Sequence, residues 1–152
     1  MIVGVISDTH GLLRPEAVEA LSGSDLIVHA GDVGAPEIVE RLRALAPTTA
    51  VRGNVDTQPW ARQLPLTEVV PAGKLHLYVL HDLSTLDLDP SAAGFAAVIS
   101  GHSHRPVGET RDGVLYLNPG SAGPRRFSLP TCVARLHVTG TRLRPEFIHL
   151  DI

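Results

Sequence analysis

The chain has 152 residues, a length that suits one compact domain, so we expect residues 1–152 to form a single domain. A hydrophobic content of 43% is enough for a core and excludes general disorder, and a net charge of −3 disfavours nucleic-acid binding through a broad basic face. No apolar run reaches the roughly 18 residues of a membrane span. The single cysteine, Cys132, excludes an internal disulfide, so we expect a protein of the reducing cytoplasm.

The first third of the sequence predicts alternating strands and helices. Short apolar segments at Ile2–Ile6, Leu26–His29 and Thr48–Val51 are typical of strands that are buried on both faces. Between them, Pro15–Leu21 and Pro36–Leu45 each begin with proline and repeat apolar residues at helical spacing. This βαβαβ pattern predicts a parallel sheet with right-handed crossovers.

The rest of the sequence predicts a further short strand, Ala96–Ile99, and three antiparallel strand pairs. The pairs are Leu66–Val70 with Leu75–Leu80, Val107–Arg111 with Val114–Leu117, and Thr131–Val138 with Arg142–Leu150. So many strands exceed what one small flat sheet holds. The pattern therefore favours a mixed α/β fold in which two sheets stack and helices lie outside them.

Side chains that can bind a metal ion follow the carboxyl ends of five predicted strands. They comprise two aspartates, one asparagine and four histidines: Asp8, His10, Asp32, Asn54, His81, His102 and His104. In open α/β sheets the carboxyl ends of the strands form the ligand-binding edge. We therefore expect these side chains to converge, although they are far apart in sequence.

The chemistry of this set favours two metal ions rather than one. Seven donors are too many for one tetrahedral ion, and oxygen with imidazole but no thiolate suits Mn, Ni, Fe, Co or Zn better than Ca. Two divalent ions, two carboxylates and a bridging hydroxide leave one net positive charge, which attracts an anionic substrate. Such a pair of ions can bind a phosphoryl oxygen and provide hydroxide at neutral pH. We expect two divalent transition metal ions, with Mn as the first choice.

Simpler roles stay open for several of these residues taken singly. Asp8 and Asp32 could be turn or helix-capping residues, and His81 could form a surface pair with Asp82. His29 ends an apolar strand, so we expect it to be a satisfied core histidine or to support the site rather than to bind a metal directly.

Seven short motifs follow one another in a fixed order along the chain. They are Asp8-Thr9-His10, Gly31-Asp32, Gly53-Asn54-Val55-Asp56, His81, Gly101-His102-Ser103-His104, Asn118-Pro119-Gly120-Ser121 and Pro124-Arg125. Each motif alone is a weak signal, but the ordered series covers nearly the whole chain. The series resembles that of the calcineurin-like metallophosphoesterases, and most of all their small single-domain bacterial and archaeal phosphodiesterase branch.

The resemblance implies a four-layer αββα sandwich of two mixed sheets flanked by helices. It implies that one ion is held by Asp8, His10, Asp32 and His104, and the other by Asp32, Asn54, His81 and His102. The implied reaction is hydrolysis of a phosphodiester, or less favourably a phosphomonoester, by a hydroxide that bridges the ions beside Asp32, Asn54 and His102. The implied partner is a small phosphate-ester substrate; the oligomeric state is left open.

This chain differs from many larger relatives at the residue that could give a proton to the leaving group. Many of those relatives carry a histidine where this chain has Val55. The proton must then come from water or another residue, and Asp82 is a speculative candidate because it follows His81. Without a strong acid, we expect the enzyme to prefer good leaving groups such as phenolates.

Four further residues have both an ordinary and a functional interpretation. Asp56 is either a turn former or a group that orients an imidazole, and we favour the second. Asn118 is by default a turn initiator before Pro119, but it could donate to a phosphate oxygen. Arg125 and Arg126 are expected to be solvated, unless one of the two contacts phosphate through a pair of hydrogen bonds.

Two other classes of function compete with catalysis. A retromer subunit related to this family keeps the fold as a non-catalytic scaffold for protein–protein contact, but retention of all seven ligand positions here disfavours that role. A nucleotide-binding α/β protein of another class is weakly supported, since the chain has neither a P-loop nor a G-x-G-x-x-G motif.

Overall fold

A computed structural model describes residues 1–126 and 128–152, which form ten strands, two α-helices and two short 3₁₀ helices. The first half contains β1 (Ile2–Ile6), α1 (Pro15–Leu21), β2 (Leu26–His29), α2 (Pro36–Arg43), β3 (Thr48–Ala50), a 3₁₀ helix (Pro59–Gln63), β4 (Thr67–Ala72) and β5 (Leu75–Leu80). The second half contains a 3₁₀ helix (Leu83–Thr85), β6 (Ala97–Ile99), β7 (Pro106–Arg111), β8 (Val114–Pro119), β9 (Cys132–Thr139) and β10 (Arg142–His149). Among these residues, no helix is both long and apolar enough to cross a bilayer.

The strands form two mixed sheets of five strands each, which confirms the predicted sandwich. The first sheet has the order β10-β9-β1-β2-β3, with β1, β2 and β3 parallel. The second has the order β4-β5-β6-β8-β7, with β5, β6 and β8 parallel. Antiparallel hairpins supply β10 at one edge of the first sheet and both edge strands of the second, whereas the parallel strand β3, which precedes Asn54, forms the other edge of the first sheet.

The core lies between the sheets and is built by alternation along the strands. Val3 and Val5 of β1 face Leu77 and Val79 of β5 within one buried apolar cluster, as the two-residue period of a strand requires. A second cluster lies between the first sheet and the two α-helices. The helices thus cover the outer face of the first sheet.

A loop rather than an α-helix covers the outer face of the second sheet. Leu83, Leu86, Leu88 and Phe95 pack against buried residues of that face, and this segment contains a single 3₁₀ turn. Aspartate, serine and Pro90 interrupt it, and these residue types favour turns over helix interiors. The sandwich therefore has its helical layer on one side and an apolar loop on the other.

Most predicted elements have an end that differs by one or two residues from the structure, and two of these differences have a clear local reason. Helix α2 ends at Arg43 instead of Leu45, because its last turn tightens and the Leu45 N–H donates to the carbonyl of Leu42. Strand β4 continues through Pro71, which the sequence pattern places in the turn. Since β4 is an edge strand, a proline can occupy it without loss of a ladder hydrogen bond.

Candidate metal centre

Five of the seven predicted ligands have a left-handed backbone. The φ angles are 57° at Asp8, 48° at His10, 55° at Asp32, 71° at His102 and 62° at His104. Non-glycine residues rarely adopt this conformation, and it concentrates at functional sites where the surroundings hold it. Each tight turn follows a strand end and brings its side chain back over the edge of the sheets.

One set of donors surrounds the carboxylate of Asp8. The Nε2 atom of His104 lies 3.3 Å from Asp8 Oδ1, and the Nε2 atom of His10 lies 3.8 Å from the same oxygen. Ligand atoms of these three residues all lie within 4.8 Å of one another, which is the spacing of a group that could share a cation.

A second set of donors surrounds Asp32. His81 Nε2 is 3.2 Å from Asp32 Oδ2 and 3.0 Å from the amide oxygen of Asn54. The Nδ1 atom of His102 lies 3.2 Å from that amide oxygen. Asp32 Oδ2 is also 3.8 Å from His10 Nε2, so this carboxylate contacts both sets. The structure therefore brings all seven predicted ligands into one cluster.

The two carboxylate oxygens of Asp8 differ in a way that fits a cation. Oδ2 accepts hydrogen bonds from the Ser7 hydroxyl and the His102 N–H. Oδ1 is buried without a hydrogen-bond partner, and so is His10 Nε2. Buried polar atoms are nearly always satisfied, so a carboxylate oxygen and an imidazole nitrogen left facing each other match a site for a divalent ion.

The electrostatics of the cluster follow from burial and from these contacts. Burial raises the pKa of Asp8 and lowers the pKa of His104, whose imidazole is also near the charge of Arg126. Burial would raise the pKa of Asp32 as well, but hydrogen bonds with His81 and the Val55 N–H outweigh it and lower that pKa. Asp32 is thus held ionised and His104 is held neutral, which are the forms that bind metals.

His29 supports the centre from beneath, as expected for a histidine that does not bind a metal directly. Its Nδ1 accepts from the Gly31 N–H, so its Nε2 carries the proton and donates to the Thr9 hydroxyl. That hydroxyl donates in turn to the Val33 carbonyl. Complete burial lowers the pKa of His29 to about 3, which keeps the imidazole neutral. This chain of bonds connects the loop of Asp8 and His10 to the loop of Asp32.

Asp56 acts on the backbone and not on an imidazole, which corrects the sequence interpretation. Its buried carboxylate accepts from the N–H groups of Val33, Gly34 and Gly53. It therefore fixes the loop that follows Asp32 against the loop that carries Asn54. Backbone N–H groups carry no sequence signature, so the pattern of residue types could not identify these partners.

Asn118 holds the histidine loop and has no N–H left for a phosphate. Its amide nitrogen donates to the Gly101 carbonyl and to the Ser103 hydroxyl. Its amide oxygen accepts from the Gly120 N–H, so it also initiates the turn that is its default role. Asn118 therefore positions His102 and His104.

Two serines to which the sequence analysis assigned no role fix the loop of Asp8. The Ser7 hydroxyl donates to the Asp8 carboxylate, and the Ser121 hydroxyl donates to the Asp8 carbonyl. Ser7 could have been found as a small polar residue that directly follows an apolar strand. Ser121 lies in one of the seven motifs, but its partner is set by the fold and not by the motif.

The contacts of Asp82 and Arg125 favour other roles than the functional ones predicted for them. The Asp82 carboxylate accepts from the N–H and the hydroxyl of Ser84 at the start of a 3₁₀ helix, and these bonds lower its pKa. A carboxyl group held ionised is a poor general acid. Arg125 lines a cavity with the C-terminal residues 149–152, none of which belongs to the cluster. The charge that reaches the centre is that of Arg126.

Comparison with known proteins gives consistent relatives along the whole chain. Residues 1–141 match the calcineurin-like phosphoesterase superfamily domain. A probable metallophosphoesterase of Methanothermobacter thermautotrophicus is 36% identical over 97% of this chain and 92% of its own. A phosphodiesterase of Escherichia coli, YfcE, is 30% identical over 76% of each chain.

Solved structures show the same fold at lower sequence identity. An archaeal phosphodiesterase has a TM-score of 0.79 at 24% identity and covers 97% of this chain and 100% of its own. Vps29 of Chaetomium thermophilum has a TM-score of 0.80 at 18% identity, and the match covers 100% of this chain and 98% of the Vps29 chain. The match to the domain, together with the two sheets and the ordered motifs, shows that the chain belongs to the calcineurin-like phosphoesterase superfamily.

Proposed function

We propose that this protein is a metal-dependent phosphoesterase that hydrolyses small phosphodiesters in preference to phosphomonoesters, with residues 1–152 as its single catalytic domain. The observation that carries the proposal is the convergence of five donors on the carboxylates of Asp8 and Asp32, with Asp8 Oδ1 buried and without a hydrogen-bond partner. Metallophosphoesterase and phosphodiesterase are also the names of the relatives.

Two divalent ions, with Mn as the first choice, would share the carboxylate of Asp32. Asp8, His10 and His104 would complete one site, and Asn54, His81 and His102 the other. When bound, the two ions supply a hydroxide nucleophile at neutral pH and neutralise the charge on the phosphoryl oxygens. The chain's own contribution is positional, because Asp32 fixes the spacing of the two sites and His81 Nδ1, 2.7 Å from the Ala30 carbonyl, is held in one orientation.

Substrate approaches from the side of Asn54 and His102, the two exposed members of the set. The His102 side chain is 46% exposed, whereas Asp8 and Asp32 lie below it and are buried. Since Val55 offers no proton and Asp82 is held ionised, water protonates the leaving group. The rate should then depend steeply on the pKa of the leaving group.

In the decisive experiment, the purified protein is treated with a chelator and then loaded with Mn²⁺. Its metal content and its hydrolysis of bis(4-nitrophenyl) phosphate are then measured. We expect metal-dependent turnover, and we expect a loss of at least a hundredfold in His81→Gln. The exposed His76 on the same strand is the matched control, and His76→Gln should retain activity. Bound metal without turnover of any aryl phosphate would contradict the proposal and favour a non-catalytic scaffold.

A further inference from the structure

Two cavities open beside the candidate metal centre, on either side of Asp82. The first has a volume of about 200 Å³ and reaches His102. The second has a volume of about 390 Å³ and reaches Asn54 and His81. Asp82 lines both cavities, so the two spaces are neighbours, and its Oδ2 atom lies 3.8 Å from His102 Nε2.

This arrangement matches the shape of a phosphodiester. A diester carries two organic groups on one phosphate, whereas a monoester carries one and would leave a cavity without an occupant. Each cavity is lined by a candidate ligand of the same ion, His102 in the first and Asn54 in the second. A phosphate bound between these residues can direct one substituent into each cavity.

The first cavity, which we term the tyrosine pocket, has mostly apolar walls. It lies between the β7–β8 hairpin and the 3₁₀ helix after Asp82, and its walls include Leu83, Val107 and Tyr116. Tyr116 is half-buried and packs against the apolar cluster on the outer face of the second sheet. The cluster and the neighbouring strand thus hold its ring in place.

A guanidinium group adds a second flat surface to the tyrosine pocket. The guanidinium carbon of Arg111 lies 4.8 Å from the centroid of the Tyr116 ring, and its Nη2 is 3.1 Å from a carboxylate oxygen of Glu109. Arg111 also lines the pocket, and its side chain is 54% exposed. Aromatic faces and planar guanidinium groups are the surfaces on which flat ring systems stack.

We propose that the tyrosine pocket binds an aromatic substituent of the phosphodiester, with Tyr116 and Arg111 as specificity-determining residues. The inference rests on the proposed function, since it places the phosphate at the metal centre. The pocket is smaller than the cavities that bind whole drug-sized ligands, and its size therefore suits one ring system, such as an aryl group or a nucleobase. The larger second cavity, which includes Arg52, accepts the other substituent.

The test compares the binding of phenylphosphonate and methylphosphonate to the Mn²⁺-loaded protein by calorimetry. The two compounds share a phosphorus group that is not hydrolysed and differ in the ring. We expect phenylphosphonate to bind about tenfold more tightly, which is the size of a stacking contribution with its buried area. Tyr116→Ala should remove that preference, Tyr116→Phe should keep it, and Arg111→Ala should reduce it about threefold.

Three controls distinguish ring recognition in the tyrosine pocket from misfolding and from a loss of metal-dependent activity. Arg142→Ala changes an exposed arginine on the opposite sheet and should leave both affinities unchanged. Unchanged binding of methylphosphonate by Tyr116→Ala shows that this variant is folded. Equal affinities of the wild type for the two phosphonates, or an undiminished preference in Tyr116→Ala, would overturn the inference. Absence of Mn²⁺-dependent hydrolysis of bis(4-nitrophenyl) phosphate would overturn the proposed function and is measured separately.

Discussion

His29 is a neutral imidazole in a position that makes its protonation costly. It has a pKa of about 3 in the folded protein against 6.5 for an ordinary histidine, because it is fully buried. Between these two values the unfolded chain binds a proton that the folded protein does not. The free energy of unfolding therefore falls as the pH decreases from about 6.5 towards 3, by up to roughly 1.4 kcal/mol for each pH unit.

Replacement of His29 tests this dependence directly. We expect His29→Gln to show a shallower loss of stability with acid than the wild type, by about 1 kcal/mol for each pH unit below pH 6. Urea unfolding between pH 7.5 and 5 with a chelator present provides the measurement, since metal loss then contributes to neither protein. Equal slopes would show that another group accounts for the acid sensitivity.

Asp82 provides a test of the missing general acid. Because its carboxylate is held ionised by Ser84, we expect Asp82→Asn to change kcat on an aryl diester by less than about threefold. The matched comparison is Asp32→Asn, which removes the carboxylate shared by both sets of donors and should abolish activity. A loss of a hundredfold in Asp82→Asn, confined to substrates with poor leaving groups, would restore Asp82 as an acid.

Sequence and structure agree at the metal-competent residues and diverge at the residues that support them. Carboxylate and imidazole side chains at the ends of strands, such as Asp32 and His102, have few roles other than binding a ligand. Their residue types and their order along the chain therefore sufficed to predict that they would lie close together. Asp56 and Asn118 bind backbone groups, and the identity of those groups depends on which loops the fold brings together. Their partners therefore could not be predicted from residue type.

The loops that carry the ligands approach one another more closely than side chains would allow. A Cβ atom on Gly53 would lie 2.0 Å from Asp32 Oδ1, and one on Gly101 would lie 2.0 Å from Ser7 Oγ and 2.6 Å from Asp8 Oδ2. Glycine at these two positions makes room for the carboxylates of other loops. The glycines of these motifs are thus needed for the close packing of the centre as well as for its turns.

A single methyl group at Gly101 should therefore disturb both stability and metal binding. We expect Gly101→Ala to lower the free energy of unfolding by about 1–3 kcal/mol, as overpacking does, and to weaken Mn²⁺ binding at least tenfold. Gly108→Ala is the control, since the nearest atom to a Cβ at that position, Phe147 Cζ, would lie 3.2 Å away rather than 2.0 Å. Chemical denaturation and metal titration of both variants provide the comparison, and similar effects of the two substitutions would contradict the expectation.

Elements with a strong period were predictable, and the segment after His81 was not. Strands such as Ile2–Ile6 and Leu75–Leu80 have the predicted bounds, because continuous apolar runs of this length have few alternatives. Residues 82–95 have leucines at uneven spacing among turn formers, which gives no helix or strand period. Their position was decided by the apolar face of the second sheet, a tertiary feature.

At the scale of the whole molecule, the candidate ligands come from both sheets. Asp8, His10, Asp32 and Asn54 follow strands of the first sheet, and the remaining three histidines follow strands of the second. A bound cation would therefore connect the two halves of the sandwich at one end. Binding to the folded form alone raises stability with the concentration of the ion.

Metal addition should consequently raise the melting temperature. When the concentration of the ion is a hundredfold above its Kd, the free energy of unfolding rises by about 3 kcal/mol. This corresponds to a rise in melting temperature of roughly 6–12 °C for a protein of this size. Differential scanning calorimetry with MnCl₂ against CaCl₂ gives the measurement, and calcium should have little effect because imidazole suits it poorly. Asp32→Asn should lose most of the shift, and an equal shift in this variant would place the stabilising ion elsewhere.

The left-handed backbone at five of the candidate ligands has a consequence for how this protein can change. A glycine at any of those positions would relax the backbone of the turn, yet it would remove a donor and, at Asp8 and Asp32, the hydrogen bonds that the carboxylate accepts. Backbone relaxation and metal binding are thus opposed at the same five residues. Each left-handed residue lowers the free energy of unfolding by on the order of 1 kcal/mol. Variants selected for stability alone, without a requirement for metal binding, should therefore lose donors at these turns first.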